Sequence, residues 1–213
     1  MILSYEGINM ETDIQVFLRD RNINLVIAWS REFKGYRNVK VSCGDIFDIK
    51  ADAIISPANS FGFMDGGIDL LYSEHFAWEL QDELQNKIRN CFYGELHVGV
   101  ATIVETKNDN IKYLISCPTM RVPENVSNTV NAYLAFRAGL IEVVNFNKSS
   151  NEKITSILCP GLGTSSGKMA KTICAKQMKY AYDSIFTHGN HFPSDLWEAH
   201  DLHNNLKVIG VAL

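Results

Sequence analysis

The chain has 213 residues, enough for one large domain or one domain with extensions. Hydrophobic residues make up 46% and charged residues 21%, a mix that supports a sizeable core and excludes a disordered chain. The net charge of −4 supplies no overall basic surface of the kind that displaces counterions from nucleic acid, which leaves only a local basic patch for sequence-independent binding to DNA or RNA.

The N-terminus, Met1 to Glu6, lacks a basic stretch followed by an apolar one, so no secretory leader is expected. No apolar run approaches the ~20 residues needed to span a bilayer. Cys43, Cys91, Cys117, Cys159 and Cys174 are odd in number and contain no Cys-x-x-Cys, which reads as buried thiols in a reducing cytoplasm.

Short runs rich in Val and Ile predict strands at Asn24–Trp29, Val39–Cys43, Ala53–Ser56, Val100–Val104, Tyr113–Cys117 and Ile154–Cys159. Between them, Glu74–Cys91 carries Phe76, Leu80, Leu84 and Ile88 on one helical face. Val126–Phe146 does the same with Val130, Leu134, Ala138 and Ile141, and Lys168–Phe186 more weakly with Ile173, Ala181 and Ile185. Asn145–Lys153 reads as a polar loop, and a short helix is expected around Asp195–His203. Strands alternating with helices predict an α/β layered domain with a largely parallel sheet. Ligands of such sheets bind beyond the carboxyl ends of strands.

Three segments after strands are candidates for that role. Gly44-Asp45-Ile46 offers a carboxylate that could accept from an adenine amino group, or a simple turn residue. The stretch Ser56 to Asp69 leads into a helix. In it Gly66-Gly67 allows close backbone approach, and the helix N-terminus favours an anion. Asn59 suits a sugar hydroxyl or a turn, and Asp69 suits a base, a water-positioning group or a helix cap. Cys159 to Met169 holds three glycines and three hydroxyl residues, able to form a nest of backbone donors around phosphates. It is not a Walker A loop: Leu162 stands where a glycine is required, and Met169 where a Ser or Thr would bind magnesium. No Gly-x-Gly-x-x-Gly follows an early strand, which argues against a dinucleotide-dependent oxidoreductase.

Other residues carry weaker signals. His188, His191, His200 and His203 have a metal-like rhythm in a polar tail, without the convergent set that zinc needs. Lys168 could reach a phosphate or stand exposed, and Arg121 could touch the ligand. Phe61 and Phe63 could stack on a ribose or cap the core, the commoner fate of Phe.

Taken in order, Gly44–Ile46, Asp52–Ile55, Ala58-Asn59-Ser60 and Gly66–Asp69 resemble the macrodomain family, with a ten-residue step from Asn59 to Asp69 similar to that of its hydrolytic members. Ala58–Asp69, Val98–Ala101, Pro118–Pro123 and Pro160–Thr164 are similar to a bacterial and phage branch. The resemblance runs from about Leu25 to Phe186 and implies one three-layer α/β/α domain with a mixed sheet, an N-terminal extension and a C-terminal helical tail.

It also implies ADP-ribose, or an ADP-ribosylated protein, nucleic acid or metabolite, as partner, with no cofactor and no metal. Asp45 and Ile46 would meet the adenine. Gly66, Gly67 and Ile68 would line the diphosphate and distal ribose, Gly163, Thr164, Ser165, Ser166 and Gly167 the second diphosphate loop, and Asn59 and Asp69 would face the distal ribose as catalytic residues. Three departures stand out: Ser56-Pro57 for Asn-Ala, Asp65 for a glycine, and Leu70 for a small residue. They leave a non-catalytic ADP-ribose-binding module as the alternative. Oligomeric state is not legible.

Overall fold

A computed structural model describes residues 14–187 and 191–208; the expectations for the first six residues and for His188 lie outside that range. The first element is a strand, β1 (Gln15–Asp20), in which Val16 and Leu18 are fully buried and their neighbours are not. Helix α1 (Ile23–Glu32) follows. Its cap is Asn22, whose side chain accepts from the N–H groups of Asn24 and Leu25.

The strand expected at Asn24–Trp29 is therefore a helix. Leu25, Val26, Ala28 and Trp29 are buried, while Ile23 and Ile27 stay exposed, which is helical spacing. The apolar run satisfies either template by composition; the Asn cap and packing against the sheet select the helix. The strand sits one segment earlier, hidden in the sequence by Arg19 and Asp20.

The chain continues through β2 (Val39–Cys43), β3 (Ala53–Ser56), α2 (Gly67–Phe76) and α3 (Glu79–Cys91). The single helix expected over Glu74–Cys91 is broken, because Ala77 takes a φ of 78° between α2 and α3. The expected stripe still holds: Phe76, Leu80, Leu84 and Ile88 are all buried. Truncating Leu84 to Ala would cost about 2–5 kcal/mol.

Next come β4 (Thr102–Glu105), β5 (Tyr113–Ser116), α4 (Asn131–Ser149), β6 (Ser156–Cys159), α5 (Lys171–Phe186) and α6 (Leu196–Asn205). Helix α4 starts later than expected and runs into the segment read as a polar loop. Its buried face is Ala132, Ala135, Phe136, Gly139, Leu140 and Val143; of the expected stripe only Ala138 is fully buried. Small residues lie inward here because α4 packs tightly: a Cβ on Gly139 would stand 2.7 Å from the Cys117 sulfur. Helix α5 starts three residues after Lys168, which has a φ of 56° and cannot begin it.

The sheet order is β2-β1-β6-β3-β5-β4. All neighbours are parallel except β4 and β5, which pair antiparallel with Ile103 opposite Ile115. One apolar core joins the sheet to α1, α4 and α5; a second joins the opposite face to α2 and α3. This is the mixed, three-layer α/β/α arrangement expected. Because β6 lies between β1 and β3, the loops leaving the carboxyl ends of these three parallel strands converge.

Among the described residues no helix is long and apolar enough to cross a membrane.

Candidate functional site

The converging loops enclose a cleft of about 610 Å³. One wall is the β3–α2 loop, from Asn59 to Asp69. The facing wall is the loop after β6, from Pro160 to Gly167. Asp20 and Asn22 stand at one end, and Thr119, Met120 and Pro123 at another.

The first wall ends in a helix N-terminus. Gly66 is the N-cap of α2 and makes no side-chain cap bond, and Gly67 has a φ of 60° that favours glycine. The opening N–H groups of α2 therefore carry the positive end of the helix dipole toward the cleft. The facing loop closes on itself. The Gly163 carbonyl accepts from the Met169 N–H at 2.9 Å, and the Gly167 carbonyl from the Val126 N–H at 2.9 Å. A Cβ on Gly167 would lie 2.6 Å from the Gly163 carbonyl, so this close approach requires glycine. Thr164, Ser165 and Ser166 form its rim, and Ser165 and Ser166 are exposed.

At the cleft floor lies Asp69, the third residue of α2 and only 7% exposed. It is not the helix cap. Its Oδ1 accepts from the Ser56 hydroxyl at 2.5 Å. Burial pushes the carboxyl pKa up to about 7, against the opposing pull of the Ser56 hydrogen bond. A carboxyl with that pKa exchanges protons at neutral pH.

Asn59 also lines the cleft. Its carboxamide is engaged locally: Oδ1 accepts from the N–H groups of Phe61 (3.1 Å) and Phe63 (3.3 Å), and Nδ2 donates to the Phe63 carbonyl (2.9 Å). It fixes the 59–63 turn, which holds Phe63 at the cleft rim, 53% exposed. Phe61 is half-buried instead, with the Arg121 guanidinium 5.0 Å above its ring. Arg121 is paired through both Nε and Nη2 with Glu95 and lies outside the cleft lining.

The structure brings together Asn59, Gly66, Gly67, Ile68, Asp69 and the 163–167 loop, as the sequence suggested. It does not bring Asp45 and Ile46 to the cleft lining. Ile46 is buried under the sheet edge, and Asp45 accepts from the Phe47 N–H and from Arg21. These contacts, the Phe47 N–H foremost, hold the Asp45 carboxyl below its usual pKa. The reason is topological: Asp45 follows β2, the edge strand, one strand removed from β6.

At the β1 end of the cleft the acid is Asp20, beside β6, while Asp65 and Asp69 line the cleft from the β3–α2 side. A sequence signal existed, an Asp closing an alternating run just before an Asn-capped helix. Lys171 was also missed. It lines the cleft from the start of α5 with its ammonium 3.2 Å from the Thr164 carbonyl, whereas Lys168 does not line it.

The described tail histidines do not form a metal-binding set. His191 pairs with Glu198 and His200 with Asn204, and no group of three His, Cys, Asp or Glu among the described residues could hold a metal ion. Cys117, Cys159 and Cys174 are buried as expected, but Cys43 and Cys91 are exposed.

The profile of the Macro-like domain matches residues 34–203, most of the chain. The chain belongs to the Macro-like domain family. A protein of Aquifex aeolicus is 29% identical over 141 residues, covering 66% of this chain and 78% of that one. Another, of Aeropyrum pernix, is 27% identical over 147 residues, covering 69% and 71%. Among solved structures, the macrodomain of Mycobacterium tuberculosis DarG matches with a TM-score of 0.52 at 23% identity, over 68% of this chain and 89% of that one. An Oceanobacillus iheyensis macrodomain variant solved with ADPR matches with a TM-score of 0.56 at 17% identity, over 69% and 77%. Thermosipho africanus DarTG in complex with ADP-ribose matches at 0.53 and 19%, over 67% and 38%. At these identities the structural matches speak to the fold, and they agree that this Macro-like domain carries the three-layer architecture.

Proposed function

We propose that this Macro-like domain binds ADP-ribose in the cleft and hydrolyses an ADP-ribosyl linkage there. The observation that carries the reading is a glycine-opened helix N-terminus facing a glycine nest across one cleft, with a buried carboxyl between them at the floor. Backbone donors on two sides suit a diphosphate, which needs hydrogen bonds without requiring many cations. Lys171 adds one positive charge at the nest. Two structural neighbours, the Oceanobacillus iheyensis macrodomain variant and Thermosipho africanus DarTG, were solved with ADPR and in complex with ADP-ribose respectively.

In this reading the adenine lies toward Asp20, which can accept from its amino group, and the distal ribose lies toward Asp69. Asn59 acts at the ribose end as the anchor of the 59–63 turn. The Asp69 carboxylate takes a proton from water as the water oxygen bonds to the anomeric carbon. The bond from that carbon to the linked group breaks, and its electron pair leaves with that group. The products are ADP-ribose and the freed acceptor, which can belong to a protein, a nucleic acid or a metabolite. Work inside the cytoplasm fits this substrate class.

One observation favours a second reading, a module that binds ADP-ribose without cutting. The Asn59 carboxamide is spent on its own loop rather than left free for a ribose hydroxyl. Calorimetric titration with ADP-ribose, followed by release assays on ADP-ribosylated protein and DNA, separates the two. Binding with release that falls at least ~100-fold in Asp69→Asn establishes the hydrolase. Binding with no release from any substrate leaves the module, and no binding removes both.

A further inference from the structure

We propose that Ser56 is a positioning residue for Asp69, the donor that favours the ionised form of this carboxyl and fixes it at the cleft floor. The role in turnover rests on the hydrolytic reading above; the coupling between the two side chains does not.

Ser56 is the last residue of β3 and is fully buried. Its hydroxyl donates to Asp69 Oδ1 at 2.5 Å, and Asp69 takes no hydrogen bond from any other side chain among the described residues. In a site screened from water, one donor to an oxyanion counts for far more than at the surface. Beside Ser56 in the parallel register stands Ser116 of β5. Alternation puts both on the face occupied by Ile54 and Leu114, toward α2 and α3. Ser116 is equally buried, yet its hydroxyl has no hydrogen-bond partner among the described residues. The sheet thus presents two serines in register on one face, and only Ser56 reaches the acid.

Asp69 acts on Tyr72 of α2 together with Cys159 at the end of β6 and Asp20 at the end of β1, and Asp20, Asp65 on the glycine loop and Lys171 on α5 line the same cleft as Asp69. Tyr72 donates to the Ile55 carbonyl, Asp20 is engaged by Asn22 and Gly161, and Lys171 by Thr164. None of them hydrogen-bonds to the Asp69 carboxyl, so among side chains Ser56 alone opposes the desolvation that drives it neutral.

The test is a carboxyl-carbon NMR titration of Asp69 in the full-length parent protein and in Ser56→Ala, Ser56→Cys, Ser56→Thr and Ser116→Ala. The midpoint is expected to rise by about one pH unit in Ser56→Ala, and in the same direction in Ser56→Cys, a weak donor. It should stay put in Ser56→Thr, which keeps the hydroxyl, and in Ser116→Ala, the matched control. In release assays the acidic limb of the rate profile then moves up equally, lowering the rate at pH 7 about fivefold while ADP-ribose affinity holds. An unchanged midpoint in both folded Ser56→Ala and Ser56→Cys overturns the proposal. Absence of turnover in the parent at every pH removes the hydrolytic reading, and the NMR midpoints still decide the role of Ser56.

Discussion

The Asp20 carboxylate accepts from the backbone N–H of Gly161 at 3.1 Å, and so pins the end of β1 to the first turn of the loop after β6. Its other oxygen accepts from the Asn22 N–H at 2.8 Å, which starts α1. The packing is close enough that a Cβ on Gly161 would meet Leu25 at 2.5 Å and Asp20 at 3.1 Å. One acid thereby organises a strand end, a helix start and one end of the cleft.

That arrangement separates Asp20, which the sequence does not single out, from Asp45, which it does. Asp20→Ala removes the loop anchor and the proposed partner of the adenine amino group, and ADP-ribose affinity should fall at least ~10-fold. Asp45→Ala removes only an edge-strand turn bond and an ion pair with Arg21, whose side chain is 70% exposed. Exposed pairs contribute about 0–1 kcal/mol, so affinity should change no more than ~3-fold. Calorimetry on both variants decides; a larger loss in Asp45→Ala would place the base over the Gly44–Ile46 turn.

The two glycine walls make opposite demands. A methyl on Gly167 would sit 2.6 Å from a backbone carbonyl that cannot move without opening the nest. Gly167→Ala should therefore weaken ADP-ribose binding by roughly tenfold or more. Gly66 has ordinary extended φ and open space where a Cβ would stand, so Gly66→Ala should leave affinity within ~3-fold. Equal losses in the two variants would show that the α2 N-terminus contributes to phosphate binding as much as the nest does.

Much of this was legible in the sequence because local chemistry repeats it. Gly66-Gly67 before a helix and the glycines of the 163–167 loop announce backbone donors wherever they occur, and the structure puts both in one cleft. What was not legible depends on strand order. Nothing local says that β1 rather than β2 lies beside β6, and that order alone moves the cleft acid from Asp45 to Asp20. The Asn24–Trp29 run has strand composition, and only the Asn22 cap and its buried face make it helical. Ser56 looked like a mere departure from a family pattern; its function as a partner for Asp69 required the fold to bring the two together.

Gln177 shows the same dependence on tertiary context. It is fully buried in α5, where its amide donates to the carbonyls of Thr129 (2.9 Å) and Leu206 (3.0 Å) and accepts from the Tyr133 N–H (3.1 Å). It ties the start of α4 and the segment after α6 to α5. Gln177→Leu matches its volume but orphans these backbone groups. A loss of about 2–4 kcal/mol in denaturant unfolding is expected. A loss under ~1 kcal/mol would mean that water replaces the bonds.

The buried Asp69 should also leave a signature in stability, independent of any ligand. Its folded pKa is raised to about 7 from an ordinary value of 3.8. Below pH 4 the carboxyl is protonated in both folded and unfolded chains, and its contribution does not vary. Between about pH 4 and 7 the unfolded chain gives up this proton while the folded one retains it. The unfolded state then binds fewer protons, so this group makes stability fall as pH rises; above pH 7 both forms are ionised and the loss levels off. The whole effect is bounded at about 4 kcal/mol by the size of the shift. Asp69→Asn keeps an acceptor for the Ser56 hydroxyl but carries no charge. Its stability relative to the parent in denaturant unfolding should rise by at least ~1 kcal/mol between pH 4.5 and pH 8. A constant difference between the two proteins across that range would show that Asp69 ionises as readily in the cleft as in the unfolded chain.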